Sequence, residues 1–253
     1  MNHPCKNCTA ELNGNYCSNC GQSADTHKLN FHYMWHDIQH GLLHFDKGIF
    51  YSVKELYTRP GHSIREFLEG KRVKHFKPLS MVIVLATVYA FLSHLLHLEH
   101  GTQISLQNNV GGGKGVDPMD ITKWISDHYA LSRLLSIPLL AFSTWLCFKK
   151  QKFNFVELLV LTAFVTAQAL VLPILSTPIL YFLKDSLAFD LYNWGLQLVE
   201  FVLFAWTYIQ FFNKLSKWRA FFQAVLALLL YLVLLLLVSG IIVLILGMFY
   251  FYH

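Results

Sequence analysis

The sequence predicts an all-α integral membrane protein with about five transmembrane helices, preceded by cytoplasmic amphipathic helices and a small N-terminal zinc ribbon. Of its 253 residues, 55% are hydrophobic and 14% are charged, which is too apolar for an ordinary soluble domain. Several apolar runs reach about 20 residues, the length that crosses a bilayer as a helix. Near the start, four cysteines form two C-x2-C pairs.

Residues 1–24 are expected to form the ribbon. The pairs consist of Cys5 with Cys8 and Cys17 with Cys20, and eight residues separate them. Each pair lets two thiolates reach one metal from a tight turn, and two such turns complete a tetrahedral sulfur site that suits zinc. The alternative is two reactive or disulfide-bonded pairs, which a cytoplasmic location disfavours. Because a four-cysteine site has no open coordination position, we expect one structural Zn²⁺ ion.

Two turns are expected to shape the ribbon. Gly21 supplies a permissive backbone after the last cysteine, and Asn13-Gly14 predicts a hairpin between the two halves. The fifth cysteine, Cys147, stands at the end of a predicted span, where the simplest interpretation is a small apolar residue.

Residues 25–78 predict cytoplasmic or interfacial amphipathic helices. Four histidines in this segment recur at intervals of four and share one helix face: His32, His36, His40 and His44. Three interpretations stay open, namely the polar boundary of an interfacial helix, a second metal site, or a pH sensor. With His94, His97 and His100 they resemble the histidine boxes of membrane di-iron enzymes. The predicted topology separates the two clusters by about 30 Å of hydrocarbon, which disfavours that chemistry.

A turn and a basic strip end this segment. Pro60 ends a helix that begins near Lys47, Gly61 permits the turn, and Ser63 with Glu66 predicts a capping box at the start of the next helix. Four cations then lie immediately before the first span: Lys71, Arg72, Lys74 and Lys77. They predict a juxtamembrane anchor that sets the direction of the span, with specific lipid binding as the alternative.

The transmembrane domain, residues 79–253, contains five predicted spans at about 79–98, 131–148, 154–174, 189–212 and 220–251. Lys and Arg favour cytoplasmic loops, and they cluster before span 1, between spans 2 and 3, and between spans 4 and 5. The opposite loops are poorer in basic residues, which are Lys114, Lys123, Arg133 and Lys184. The first 30 residues are polar, so no cleavable leader is expected. The N-terminus is therefore predicted inside and the C-terminus outside.

Residues 173–183 leave two interpretations open. Pro173 and Pro178 each remove a backbone donor and disfavour a straight helix, so the segment is either the broken end of span 3 or a re-entrant piece. An independent crossing would disturb the alternation of basic loops.

Span 4 carries a polar stripe. Its members recur at intervals of three and four and share one helix face: Asp190, Asn193, Gln197 and Glu200. A carboxylate such as Glu200 near mid-membrane is costly and is expected to face protein or water. The stripe either lines a path or pocket for an ion, proton or small solute, or it hydrogen-bonds neighbouring helices through partners such as Thr162, Thr166 and Gln168.

Short motifs mark residues 5 to about 92. After the cysteine ribbon come His44-Phe45-Asp46-Lys47-Gly48, RPG at 59–61, GKR at 70–72 and Lys77-Pro78. In these motifs the chain resembles an uncharacterised bacterial membrane family of unknown function. The resemblance implies a multispan protein of the bacterial inner membrane, and it implies no activity.

We expect a non-enzymatic protein whose cytoplasmic ribbon and juxtamembrane helices bind a protein partner, as a scaffold, adaptor or sensor. The ribbon residues 4–20 contain one Lys and no Arg, which disfavours nucleic acid as a partner. The first alternative is a small-solute or ion transporter, or an oligomeric channel, that uses the polar stripe. The second is a metal-dependent membrane enzyme. Contact with the bilayer is implied throughout, and a homo-oligomer is compatible with the sequence.

Overall fold

The computed structural model describes residues 4–26, 48–98, 128–184, 186 and 188–252, with side chains described as far as residue 241. Seven α-helices lie in these ranges: α1 Gly48–Thr58, α2 Pro60–Glu69, α3 Pro78–Leu95, α4 Tyr129–Cys147, α5 Phe155–Leu183, α6 Ala188–Phe211 and α7 Lys217–Tyr252. One 3₁₀ turn, Lys149–Gln151, joins α4 to α5. The chain is therefore all-helical in the part described, apart from the irregular ribbon at residues 4–26.

Four helices are long and apolar enough to cross a membrane: α3, α4, α5 and the Lys217–Ile241 part of α7. They correspond to the first, second, third and fifth predicted spans, so an all-helical fold with four candidate membrane-spanning helices is confirmed in the described residues. α6 covers the fourth predicted span with 24 residues, but it lies outside this apolar set because its polar stripe lowers its hydropathy. The count of five spans stays a prediction.

α5 is the central helix of the bundle. Of its most apolar stretch 72% is buried, against 11% in α7, and α5 packs against α3, α4 and α6. Its first turn is fixed by a capping box. The Asn154 side chain accepts from the Glu157 N–H at 2.7 Å, and the Glu157 carboxylate accepts from the Asn154 N–H at 2.9 Å. These bonds satisfy amides that would otherwise lack partners at the helix start.

α5 continues without interruption through both of its prolines to Leu183. Pro178 has no N–H to donate to the carbonyl of Ile174, four residues earlier. The Thr177 hydroxyl donates to that carbonyl at 2.8 Å and to the carbonyl of Pro173 at 2.9 Å. Hydroxyl donors of this kind keep a proline-containing helix intact in a membrane. Residues 173–183 are thus continuous helix, and both sequence interpretations, a broken end and a re-entrant piece, are wrong.

Four helices form a ring around the centre of the bundle. α4 packs against α5 and α7, and α6 packs against the same two helices. α4 and α6 therefore occupy opposite sides of the ring, while α3 packs on the outside against α4 and α5.

α1 and α2 form a short helical hairpin against this bundle. α1 ends at Thr58 and α2 begins at Pro60, the first helical position that proline favours. The predicted capping box is wrong, because the helix begins three residues before Ser63. That serine is buried inside α2, and the Glu66 carboxylate binds the guanidinium of Arg59 instead.

Gly61 brings α2 into backbone contact with the end of α6. A Cβ at position 61 would lie 2.3 Å from the Phe211 amide nitrogen and 2.5 Å from Gln210 Cβ. The Gln210 side chain also accepts from the Gly61 N–H at 3.2 Å. The glycine of the RPG motif is therefore required for close packing, since a methyl group would have to displace backbone atoms.

Gly61→Ala should destabilise the protein by about 2 kcal/mol or more, because α2 must move away from α6. Thermal unfolding in detergent, followed by tryptophan fluorescence, would measure the loss. Gly195→Ala in α6 is the matched control, since a Cβ there meets nothing within 4 Å, and it should be neutral or stabilising. Equal midpoints for the two variants would contradict the packing described.

Candidate metal centre

The four ribbon cysteines meet at one point. Their sulfur atoms all lie within 4.8 Å of one another, with Cys5 to Cys20 at 3.6 Å and Cys8 to Cys17 at 3.5 Å. Thiolates that share a tetrahedral zinc ion at about 2.3 Å are separated by about 3.8 Å, whereas a disulfide requires about 2.05 Å. All four are free cysteines, and their arrangement is close enough to hold one metal ion.

The two halves of the ribbon have the same turn geometry. The Thr9 N–H donates to the Cys5 carbonyl at 2.8 Å, and the Gly21 N–H donates to the Cys17 carbonyl at 2.9 Å. Both turns end in positive φ, 62° at Thr9 and 75° at Gly21. The prediction for Gly21 is confirmed, and the first half places threonine in the same conformation.

The predicted hairpin at Asn13-Gly14 is wrong. The two isolated β-bridges of the ribbon join Pro4 to Glu11 and Tyr16 to Ser23, so each lies within one half. Each half uses its backbone groups to close its own turn. In the described ribbon the two halves therefore form no β-bridge with each other and meet through their cysteine sulfur atoms.

Hydrogen bonds favour the thiolate form of Cys20. Its pKa is lowered to about 6, first by a bond from the Asn7 side chain and then by the backbone N–H of Gln22. The thiolate is the form that ligates metal. The hydrogen bonds from Asn7 and Gln22 thus favour ligation by Cys20.

Gln22 connects the metal centre to the basic strip. Its backbone carbonyl accepts from the Cys17 N–H at 2.8 Å. Its side-chain oxygen accepts from two backbone amides, Arg72 at 3.0 Å and Val73 at 2.9 Å. The residue is only 5% exposed. We call the bonds from these two amides to the Gln22 side chain the Gln22 latch.

Gly70 allows the ribbon to approach α2. It ends α2 with φ of 109°, and the Gly70 and Lys71 amides bond back to the carbonyls of Phe67 and Glu66, a turn for which glycine is favoured. A Cβ at Gly70 would lie 2.8 Å from Lys6 Cδ. The Lys6 ammonium donates to the Thr26 carbonyl at 2.7 Å. The glycine of the GKR motif therefore serves both the turn and the docking of the ribbon.

The predicted basic anchor divides into different roles. Arg72 is buried, with its Nε donating to the Phe67 carbonyl at 3.2 Å and its guanidinium 5.5 Å from the Phe67 ring centre. Lys71 lies 3.5 Å from the Glu66 carboxylate. Lys74 is exposed, and Lys77 immediately precedes α3. The Arg72 side chain thus stabilises the end of α2, while the anchoring role of the group stays a prediction.

Arg59 joins the RPG motif to the rest of α2. Its guanidinium makes two bonds to the Glu66 carboxylate, at 3.1 and 3.2 Å, and pairs with Glu55. Burial alone would raise the pKa of Glu66, but the bonds and charge of Arg59 hold that pKa below its ordinary value. The carboxylate form therefore helps to fix the α1–α2 hairpin.

His75 lies in an aromatic cage between the strip and the bundle. Its ring centre is 5.2 Å from that of Tyr51, 5.9 Å from Phe67 and 6.4 Å from Phe164. Burial lowers the pKa of His75 to about 4, and the nearby Glu66 and Arg59 charges modify it further in opposite directions. The neutral imidazole is the form that the fold accommodates.

The histidine stripe of His32, His36, His40 and His44 lies outside the described residues, as does His100. His94 and His97 are exposed at the end of α3, with ring centres 6.5 Å apart. The interpretations of both clusters stay predictions.

The polar stripe of α6 divides along its length. Asp190 is exposed at the helix start and Asn193 is half-buried. Gln197, which is also exposed, and the half-buried Glu200 line a cavity shared with α4, α5 and α7. The expected partner Gln168 lines the same cavity. Its amide nitrogen donates to the Leu56 carbonyl at 2.6 Å, and its side-chain oxygen accepts from Thr207 at 3.0 Å.

Sequence reasoning missed two residues. Arg133 was assigned to an outer loop, yet it lies in the first turns of α4 and lines the cavity with Glu200. The polar residues from Asp190 to Glu200 could be recognised as a stripe because they recur every three or four positions. A single arginine has no such periodicity. Gln22 was missed because its role depends on amides about fifty positions away in the chain.

Fold and site together describe a helical protein with four candidate membrane-spanning helices, in which a four-cysteine ribbon is docked on the end of α2 and the strip that follows it. A family model described as "Protein of unknown function (DUF3667)" matches residues 46–90. The match covers α1, α2, the basic strip and most of α3, and so includes the RPG, GKR and Lys77-Pro78 motifs. No curated protein and no solved structure matches the chain.

One metal ion per chain is expected in the purified protein, as measured by elemental mass spectrometry. Cys17→Ser with Cys20→Ser should abolish it, because two of the four thiolates are lost. Cys147→Ser is the control and should retain the metal. Gln22→Ala should also retain it while making residues 4–26 more sensitive to protease, since only the latch is removed. Metal that survives the double substitution would rule out this site.

His75 should make stability depend on pH. The unfolded histidine takes up a proton near its ordinary pKa of 6.5, whereas the folded one does so only near 4. Stability should therefore fall as pH is lowered between these values, by at most about 1.4 kcal/mol per pH unit. His75→Phe should remove this slope in thermal unfolding curves. His62→Phe, at an exposed position of α2, should leave it unchanged, and equal slopes for both would refute the assignment.

Proposed function

We propose that the chain is a non-enzymatic protein of the bacterial inner membrane, whose cytoplasmic zinc ribbon and juxtamembrane helices bind a protein partner. It would act as a scaffold, adaptor or sensor. The observation that carries this proposal is the Gln22 latch. One residue contacts both the cysteine site, through Cys17, and the backbone of the matched segment, through Arg72 and Val73.

The donor set supports zinc in a structural role. Four thiolates suit a tetrahedral d¹⁰ ion, and they leave no coordination position for substrate. A ribbon of this size has almost no hydrophobic core, so a bound metal contributes most of its folding free energy. Loss of the metal would therefore release the latch.

One aromatic side chain of the ribbon is available to a partner. Tyr16 is 69% exposed, whereas Gln22 and Thr26 are buried. Exposed tyrosines on small polar modules are typical contact residues in protein interfaces. The single lysine of residues 4–20, Lys6, is bonded to the Thr26 carbonyl, which argues further against binding to nucleic acid.

The bundle supports the proposed orientation. A cavity of about 440 Å³ is lined jointly by Lys6 of the ribbon, Arg65 of α2, Gln151 of the α4–α5 connection and Lys214 of the α6–α7 connection. The basic connections and the ribbon thus lie at one end of the bundle. Because Lys and Arg favour the cytoplasmic side, this arrangement supports a cytoplasmic N-terminus and a crossing by α6.

A photo-crosslinking amino acid at position 16 should capture a defined protein in living cells. The adduct should disappear with Cys17→Ser and Cys20→Ser, because the ribbon unfolds without its metal. It should persist with Cys147→Ser. The same probe at Leu226, exposed on α7, is the control position and should capture lipid.

An adduct that survives the double substitution would disprove a metal-dependent interface. The absence of any protein adduct at position 16 would disprove the partner role of this face of the ribbon.

A further inference from the structure

A half-open cavity of about 330 Å³ is lined by all four helices of the α4–α7 ring. Every helix of the ring contributes a polar side chain to its wall: Arg133 from α4, Thr166 from α5, Gln197 and Glu200 from α6, and Tyr231 from α7. The rest of the lining is mostly leucine, valine and phenylalanine. An apolar cavity with a few convergent polar groups is the usual form of a small-molecule site, and this volume is at the small end of the range.

The two charged groups of the cavity belong to opposite sides of the ring. Arg133 lies on α4 and Glu200 on α6, the two ring helices that pack against the same neighbours. In the described structure no nitrogen of Arg133 lies within 4.0 Å of a Glu200 oxygen, so they form no direct ion pair, although their charges interact. Both side chains line the cavity.

Arg133 is held in place from its own helix. Its Nε donates to the Tyr129 hydroxyl at 2.8 Å, and its guanidinium lies 5.0 Å from the centre of the Tyr129 ring. These contacts leave other N–H donors of a guanidinium for a further acceptor. Tyr129 thus fixes the position and orientation of the Arg133 guanidinium.

Separated opposite charges inside a membrane domain are expensive and are kept where they bind something. A cation alone would leave Arg133 uncompensated, and an anion alone would leave Glu200 uncompensated. We propose that the cavity binds a small zwitterion, with its anionic group on Arg133 and its ammonium group on Glu200. Two sources share this chemistry, a soluble amino acid and the headgroup of phosphatidylethanolamine. This site is separate from the metal centre and does not depend on the partner proposed for the ribbon.

The test uses the full chain purified in mild detergent. Thermal unfolding is followed with each of the twenty L-amino acids, and with the methyl ester and N-acetyl derivative of any that stabilises. The ester lacks the anion and the N-acetyl derivative lacks the cation, so both should bind at least tenfold more weakly. Native mass spectrometry after exchange into mixed lipids tests the second source, since phosphatidylethanolamine should be retained in preference to phosphatidylglycerol.

Arg133→Gln and Glu200→Gln should each weaken binding of the stabilising amino acid or retained lipid at least tenfold, because each removes one charge while keeping a polar side chain. Asp190→Asn, exposed on the same stripe, is the control and should bind normally. The ester and N-acetyl comparisons use the unmodified protein, so the proposal stays testable if a variant does not fold.

Several outcomes would overturn the proposal. They are no stabilisation by any amino acid together with no preferential lipid retention, binding that persists in both glutamine variants, or derivatives that bind as well as the parent amino acid. A further outcome concerns charge reversal without ligand. If Arg133→Glu and Glu200→Arg each lower stability and the combined variant regains it, the two residues form an intramolecular ion pair, and the cavity is not a binding site.

Discussion

The side chain of Gln168 joins the end of α1 to the central helix of the bundle. The positions of α2, the basic strip and the ribbon depend on this contact. Gln168 is 1% exposed, so each polar atom of its amide must find a partner within the protein. Its nitrogen donates to the Leu56 carbonyl, its side-chain oxygen accepts from Thr207, and its backbone carbonyl accepts from the Tyr57 hydroxyl at 2.6 Å. One residue of α5 thus positions α1 and α6 together.

From that contact the remaining positions follow in order along the chain. The RPG turn directs α2 onto the end of α6, where Gly61 allows backbone contact. Gly70 then ends α2, and the strip that follows presents two amides to Gln22. A path of short-range contacts therefore runs from the membrane bundle to the cysteines. Four residues form these contacts. The two glycines, Gly61 and Gly70, allow close approach of the backbone, and the two glutamines, Gln168 and Gln22, supply side-chain amide groups that hydrogen-bond distant parts of the chain.

Much of the architecture could be predicted from the sequence because length and hydropathy determine membrane helices almost alone. The first predicted span, 79–98, is observed as Pro78–Leu95, and the second, 131–148, as Tyr129–Cys147. The spacing of the cysteines likewise predicted one common site, and their four sulfur atoms lie within 4.8 Å of one another. Both signals are local, since each depends only on neighbouring residues in the chain.

The errors arose where tertiary contacts decide. Ser63 with Glu66 has the pattern of a capping box, but Pro60 started α2 earlier and left Ser63 inside it. Pro173 and Pro178 suggested a break, yet the helix continues through both, and at Pro178 the Thr177 hydroxyl replaces the missing donor. Arg133 and Glu200 line one cavity only because the ring brings α4 and α6 together around it. No spacing within the chain encodes such a relation.

The Gln22 latch contains no formal charge. Its acceptor is a neutral amide oxygen and its donors are backbone N–H groups, so salt does not screen it as it screens an ion pair. Attraction between exposed lysines and anionic lipids is screened within about 10 Å at moderate ionic strength. The ribbon would therefore stay attached to its own protein under salt conditions that weaken the predicted attraction of Lys74 to a membrane surface.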